Sequence, residues 1–211
     1  MLAAHTHIAR DLPGYGGTTA TSDDSLAQRA LRLAMRIQDQ PSPILVGHSM
    51  GGVLATMIAE HLPHVRGVID VDGNLSRGDC TYSGRATAVG RGAFEAHGFA
   101  DMRAELAASE DPACRGYARA MGETTAATFY RDAEDLVRLS ETETLAPRFA
   151  ALPCAKLFIA GVPRGICARS RQLIADSAVP CVDISPSGHW PFIDRPDAFA
   201  TAVANFVASL A

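Results

Sequence analysis

Long hydrophobic runs and blocks of like charge are missing from the sequence. No stretch approaches the ~18 consecutive apolar residues that a membrane-spanning helix needs, and the N-terminal MLAAHTHIAR lacks the apolar core of a signal peptide. The 19 basic and 23 acidic side chains give a net charge of -4 without a basic arm for nucleic acid or an anionic membrane. We therefore expect a soluble cytoplasmic protein, with neither nucleic acid nor a membrane as its partner.

Cysteine motifs for metal binding and redox chemistry are also missing. The five cysteines are odd in number, widely scattered and without a C-x-x-C pair: Cys80, Cys114, Cys154, Cys167 and Cys181. His61 and His64 have a spacing that would suit a metal, but no clear third ligand accompanies them, so we interpret them as a surface pair at a helix end. The sequence thus predicts reduced thiols, no metal and no cofactor.

The composition is that of an ordinary globular protein, and the sequence contains short apolar segments that we expect to be buried. Its 211 residues are 47% hydrophobic and 20% charged, which predicts one domain over residues 1–211. Four short apolar runs, at 44–46, 68–71, 157–160 and 182–184, are typical of parallel strands buried on both faces. MGGVLATMIAEHL and PDAFATAVANFVASLA are typical of helices. We predict an α/β fold with a mostly parallel sheet flanked by helices.

Between residues 72 and 152 the pattern changes to alanine-rich, charge-studded segments without strand-like runs. Asp111 before a proline is a helix start signal, and Ser140 forms, with the glutamate three residues later, the spacing of a capping box. We predict a helical insertion within the α/β domain at about residues 75–140. Asp194, two residues before a proline, is the expected start signal of the terminal helix.

The residues GHSMG follow the first predicted strand and precede a predicted helix. This G-x-S-x-G pattern holds a serine at a sharp strand-to-helix turn, where flanking glycines relieve crowding. Ser49 is therefore the candidate nucleophile, and the amide of Met50 at the start of the helix is the candidate donor to an oxyanion. The alternative interpretation is a tight turn whose glycines only let the strand and the helix approach each other.

Three motifs resemble the α/β-hydrolase fold superfamily, and the resemblance extends over nearly the whole chain. RDLPGYGGT resembles the loop after that family's fourth strand, LVGHSMGG its nucleophile turn, and SPSGHWPFIDRPDAF the loop that carries its catalytic histidine. The resemblance implies that His189 is the base and that the helical insertion is a lid over the site. The other histidines considered lie in no comparable strand-end loop: His5, His7, His61, His64 and His97.

The catalytic acid is harder to place, because no carboxylate follows Gly161, where much of the family carries it. A subset that includes haloalkane dehalogenase-like and luciferase-like members carries the acid after the sixth strand. On that pattern Asp72, in VRGVIDVDGN, falls in the acid position. Asp70, two residues earlier on the same face of the strand, is the nearest rival. The weaker candidates are Asp79, Asp176 and Asp183, and Asp72 itself has the alternative role of a polar turn residue.

Counterparts of the family's first three strands and of its H-G loop are missing, because MLAAHTHIARDLPGYGG already resembles the fourth strand and the loop after it. The H-G loop supplies the second oxyanion donor, and loss of one donor costs about two to three powers of ten in rate. Two hypotheses remain open, an N-terminally incomplete hydrolase and a divergent protein with weak or absent activity. An exposed strand edge is also expected, with self-association into a homo-oligomer as a hypothesis.

The resemblance and the candidate residues together predict a serine hydrolase that acts on a small molecule. Ser49 would attack the carbonyl of a carboxylic ester, thioester or lactone, while His189 acts as base and Asp72 orients it. The alternatives are a non-catalytic binding protein, a carbon-carbon bond hydrolase and an acyltransferase. The insertion offers aromatic candidates for the substrate pocket, although packing is their commoner role: Phe94, Phe99, Tyr117, Phe129 and Tyr130. Trp190 and Phe192 are interpreted as packing residues.

Overall fold

The computed structural model describes residues 6–19 and 24–210, and its centre is one parallel sheet. The sheet has the strand order β1-β2-β3-β4, with β1 at Ile44–His48, β2 at Gly67–Val71, β3 at Ala155–Arg164 and β4 at Cys181–Gly188. Each of the four predicted apolar runs lies inside one of these strands. The predicted α/β fold, with a parallel sheet between helices, is confirmed.

The register of the sheet brings the carboxyl ends of all four strands to one edge. His48 at the end of β1 pairs with Val71 at the end of β2, and Gly188 at the end of β4 pairs with Arg164 of β3. Because all four strands are parallel, the residues that follow β1, β2 and β4 emerge at this same edge.

Helices cover both faces of the sheet. The helices outside the long connection between β2 and β3 are α1 (Leu26–Ile37), α2 (Met50–His61), α8 (Leu145–Ala151), α9 (Ala168–Asp176), α10 (Pro191–Asp194) and α11 (Pro196–Ser209). Val68 and Phe158 point to the face covered by α1, α2, α8 and α9, whereas Ile69 and Ile159 point to α11. This alternation along each strand explains why the strands are apolar throughout.

The connection between β2 and β3 is mostly helical. It contains a 3-10 turn (Arg77–Asp79), α3 (Thr81–Ala88), α4 (Arg91–Ala93), a π-helical turn (Phe94–Gly98), α5 (Phe99–Ala107), α6 (Pro112–Met121) and α7 (Ala126–Glu141). We call the residues 77–141 the helical segment. It has an apolar core of its own around Phe94, Met102 and Phe129. As predicted, Asp111 caps α6, since its carboxylate accepts a hydrogen bond from the Ala113 amide at 2.8 Å.

Two predicted helix start signals are wrong. Ser140 lies inside α7, where its hydroxyl is shared between the carbonyl oxygens of Asn74 (2.9 Å) and Leu136 (2.8 Å), so it cannot cap α8. Asp194 ends α10 and is not the cap of α11. Its carboxylate instead accepts a hydrogen bond from the Gly188 amide at 2.7 Å, which holds the end of β4.

The N-terminal residues differ from the predicted fourth strand. Residues 6–12 form no strand, and the next residues form a single bridge, between Tyr15 and Thr124 of the helical segment. The backbone N–H and C=O groups of a strand need hydrogen-bond partners on a neighbouring strand, and none of the described residues provides one there. Within the same described residues, no strand pairs with the outer edge of β1, and Val46 on that strand is 53% exposed. In the part of the chain that the structure describes, this edge of β1 is open, as expected. None of the described helices is long and apolar enough to cross a membrane.

Candidate active site

Ser49 occupies a strained turn between β1 and α2. Its φ of 56° and ψ of -124° lie in a region that non-glycine residues rarely adopt, and its amide donates to the Val71 carbonyl at 2.9 Å. Gly47 is required for this turn, because a Cβ atom there would lie 2.0 Å from the carbonyl oxygen of Gly51. The turn presents the Ser49 side chain at the edge of the sheet where the strands end.

The Ser49 hydroxyl donates a hydrogen bond to Oδ1 of Asn74 at 3.1 Å. Asn74 follows β2 and is 3% exposed. Met50, the first residue of α2, has an amide that cannot bond within its helix, and the structure gives it no acceptor among the described residues. This amide is therefore free to bind an anionic oxygen at the positive end of the helix.

Asp72 and His189 come together from the ends of β2 and β4. Oδ2 of Asp72 lies 3.8 Å from Nδ1 of His189, while Oδ1 accepts a hydrogen bond from the Gly161 amide at 3.0 Å. Asp72 has a left-handed φ of 46°, which turns the carboxyl toward β3. Gly165 leaves room for it, because a Cβ atom there would lie 2.4 Å from Oδ2. The sequence could not predict this contact with the β3 region.

Burial controls the protonation of both groups. Burial raises the pKa of Asp72 to about 7, although the Gly161 amide opposes this increase. Burial, together with the neighbouring His48, lowers the pKa of His189 to about 3, while the carbonyl of Gly165 opposes this decrease. The imidazole is thus neutral near pH 7, as a general base must be before it takes a proton.

His48, which precedes Ser49 in the motif, is a site residue that the sequence analysis did not identify. Its Nε2 lies 2.7 Å from the carbonyl oxygen of His189, and the two rings are 4.6 Å apart. Because a carbonyl only accepts, this nitrogen carries the proton. Burial lowers the pKa of His48 to about 4, so the ring is neutral. His48 therefore fixes the backbone of the histidine loop.

Asp70, the rival acid, lies beneath the Ser49 turn. Its carboxyl is 1% exposed and packs closely against Gly52 of α2 and Gly73, since a Cβ atom on either glycine would approach Oδ1 to 2.0 or 2.3 Å. Burial, followed by the charge of Asp72, raises its pKa well above the ordinary value. The carboxyl oxygen that lies within ion-pair distance of His189 belongs to Asp72 and not to Asp70.

The other candidate acids and histidines have different surroundings. The carboxylate of Asp79 accepts hydrogen bonds from the amides of Leu75 (3.0 Å) and Cys167 (2.8 Å). Asp176 bonds to Gln172, and Asp183 to Arg171, both at the surface. The remaining described histidines are exposed: His7, His61, His64 and His97. His5 lies outside the described residues. Among those residues, no group of three or more His, Cys, Asp or Glu side chains could hold a metal ion.

A cavity of about 530 Å³ lies between the sheet edge and the helical segment, and both Ser49 and His189 line it. Tyr82, Tyr117 and Trp190 form a cluster in its wall, with ring centroids 4.9 to 6.1 Å apart. Of the predicted aromatic candidates, Tyr117 and Phe129 line the cavity, whereas Phe94, Phe99 and Tyr130 pack in the core of the helical segment. Tyr82 is a cavity residue that the sequence did not predict, and Trp190, interpreted from the sequence as a packing residue, also lines the cavity.

The loop of PGYGG residues forms another part of the cavity wall. The hydroxyl of Tyr15 donates to Oδ2 of Asp132 at 2.8 Å, and Asp132 in α7 is also paired with Arg29 of α1. Arg29 is fully buried and binds both carboxylate oxygens, at 2.6 and 2.8 Å. This ion pair connects α1, the loop and the helical segment around the cavity.

A parallel sheet with a serine at a strand-to-helix turn and a histidine after the last strand defines the α/β-hydrolase class of proteins. Residues 2–202 match the model of the Alpha/beta hydrolase family, and the chain belongs to this family. No curated protein sequence matches it significantly.

Solved structures resemble nearly the whole chain at low sequence identity. An esterase from Exiguobacterium antarcticum (EaEST) has a TM-score of 0.76 and 16% identity, covering 94% of this chain and 80% of that chain. A hydrolase from Pseudomonas aeruginosa PA01 has a TM-score of 0.71 and 20% identity, with 93% and 77% covered. A carboxylesterase structure from Nitrososphaera gargenis has a TM-score of 0.73 and 17% identity, with 95% and 78% covered. These likenesses show that the fold is shared.

Proposed function

We propose that the protein is a serine hydrolase of carboxylic esters, thioesters or lactones. The observation that carries this proposal is that Ser49 and His189 line one cavity while Asp72 lies 3.8 Å from the imidazole. The esterase and carboxylesterase among the structural neighbours support this substrate class. The helical segment would act as the lid that shields the reaction from water.

In this mechanism, Oγ of Ser49 attacks the carbonyl carbon of the substrate while His189 takes the hydroxyl proton. The carbonyl oxygen becomes an oxyanion, to which the Met50 amide donates a hydrogen bond. The tetrahedral intermediate then collapses, and His189 returns the proton to the departing alcohol, thiol or ring oxygen. Water attacks the acyl-serine in the same way and releases the carboxylic acid. Asp72 orients the imidazole and stabilises its protonated form.

The second candidate function is a non-catalytic binding protein that keeps the cavity. The hydrogen bond from Ser49 to Asn74 favours it, because the hydroxyl is bonded to an amide and not to a base. Carbon-carbon bond hydrolysis and acyl transfer would use the same nucleophile and base, and they differ in the substrate or in the group that accepts the acyl part.

A fluorophosphonate probe distinguishes an activated serine from an inert one. We expect the wild type to be labelled in a single stoichiometric step and Ser49→Ala to be unlabelled, with p-nitrophenyl ester hydrolysis lost in parallel. Ser42→Ala is the matched control, since Ser42 is an exposed serine before β1. A folded wild-type protein that remains unlabelled would contradict the hydrolase proposal and favour the binding protein. Product analysis with water or an added alcohol as acceptor separates hydrolysis from acyl transfer.

A further inference from the structure

We propose that Asn74 competes with His189 for the proton of the Ser49 hydroxyl, so that the hydroxyl must leave Asn74 before the base can activate it. This inference rests on the proposed function. A hydroxyl has one proton and donates it to one acceptor at a time. In the structure the acceptor is Oδ1 of Asn74, 3.1 Å from Oγ.

The orientation of the Asn74 amide is fixed by a second hydrogen bond. Its Nδ2 donates to the carbonyl oxygen of Asp79 at 3.0 Å, and a carbonyl can only accept. The other end of the amide, Oδ1, therefore faces Ser49. Because Asn74 is 3% exposed, bulk water competes little for either bond.

Asn74 is also held through its backbone. Its carbonyl oxygen accepts a hydrogen bond from Ser140 of α7 at 2.9 Å. Asp79, the partner of the amide, is itself held by the amides of Leu75 and Cys167. Because Asn74 is fixed in this way, we infer that rotation of the Ser49 side chain is what breaks the hydrogen bond. Activation then involves exchange of the Asn74 acceptor for the His189 imidazole.

The rate of fluorophosphonate labelling of Ser49 measures this exchange. We expect Asn74→Leu, which keeps the side-chain size and removes the acceptor, to be labelled about 2- to 12-fold faster than wild type, the factor that corresponds to one net neutral hydrogen bond. Asn74→Asp keeps an acceptor oxygen whether its carboxyl is ionised or protonated, so its labelling should be no faster than wild type. A merely structural role for Asn74 would slow labelling or leave it unchanged in both variants.

Ser140→Ala is the matched control, because it removes a buried hydrogen bond to the Asn74 backbone while the side-chain acceptor stays oriented by the Asp79 carbonyl. Its labelling rate should stay within about twofold of wild type, which is a smaller change than the loss of one net hydrogen bond produces. The inference is overturned if folded Asn74→Leu is labelled no faster than wild type, or if Ser140→Ala is accelerated as much. If the leucine variant does not fold, Asn74→Ala provides the same test. An unlabelled wild type would instead contradict the proposed function itself.

Discussion

Oδ2 of Asp72 lies 3.8 Å from Nδ1 of His189 and is buried without a hydrogen-bond partner among the described residues. The other carboxyl oxygen is already bound to the Gly161 amide. A small approach of the imidazole would satisfy the free oxygen, and a protonated imidazole would do so most strongly. In the proposed mechanism, such an arrangement would favour the charged histidine that forms while Ser49 attacks the substrate.

The first prediction concerns the identity of the acid. We expect Asp72→Asn to lower kcat for p-nitrophenyl ester hydrolysis by about 10⁴-fold, the effect typical of losing the carboxylate that orients a catalytic histidine. Asp70→Asn is the matched control, because it changes a buried carboxyl that makes no such approach to His189, and it should retain activity. Loss of activity in Asp70→Asn alone would assign the acid to Asp70.

The pH dependence of activity should follow the ionisation of Asp72. The imidazole of His189 is neutral above a pKa of about 3, whereas the Asp72 carboxyl ionises only near its pKa of about 7. We therefore expect kcat/KM to rise as the pH increases through about 7 and to level off above it. The residual activity of Asp72→Asn should lack this step. A step at the same pH in that variant would show that another group titrates.

The raised pKa of Asp72 also predicts that stability decreases as the pH rises, whereas activity increases. The folded protein holds the Asp72 proton up to a pH of about 7, whereas the unfolded chain releases it near the ordinary value of 3.8. The folded state thus binds more protons in this interval, and the contribution of Asp72 to the free energy of unfolding decreases as pH rises. We expect Asp72→Asn to be more stable than wild type toward urea at pH 8, with a smaller difference at pH 5. Equal differences at both pH values would contradict the raised pKa.

The elements that the sequence predicted correctly are those specified by local chemistry. The apolar runs of the strands, the Asp111 cap and the glycine-flanked serine each depend on neighbours within a few residues. The contacts around Ser49 join distant parts of the chain: 25 residues separate Ser49 from Asn74, and 141 separate His48 from His189. These contacts depend on the register of the sheet and the path of the helical segment. The incorrect capping prediction for Ser140 has the same cause, since α7 continues past it.

Two glycines of the same motif should respond differently to substitution by alanine. A Cβ atom on Gly47 would meet the Gly51 carbonyl at 2.0 Å, whereas a Cβ atom on Gly51 would meet nothing within 4 Å. We expect Gly47→Ala to lose fluorophosphonate labelling and to lower the melting temperature. Gly51→Ala should fold with equal or higher stability, by up to about 1 kcal/mol, because alanine is the better helix former. Equal effects of the two substitutions would contradict the observed turn.

The last prediction concerns the ion pair between Arg29 and Asp132, which connects α1 to the helical segment. Asp132→Leu would leave the fully buried guanidinium of Arg29 without its carboxylate, at a cost of about 3–5 kcal/mol in the free energy of unfolding. In Arg29→Met/Asp132→Leu both charges are absent, so the double variant should be more stable than Asp132→Leu alone. Arg171→Met, which breaks a half-exposed pair with Asp183, is the control and should cost at most about 1 kcal/mol. Urea denaturation of wild type, Arg29→Met, Asp132→Leu and the double variant measures the coupling. Additive effects at positions 29 and 132 would show that the pair does not hold the helical segment, whereas recovery in the double variant would show that the cost came from the unpaired charge.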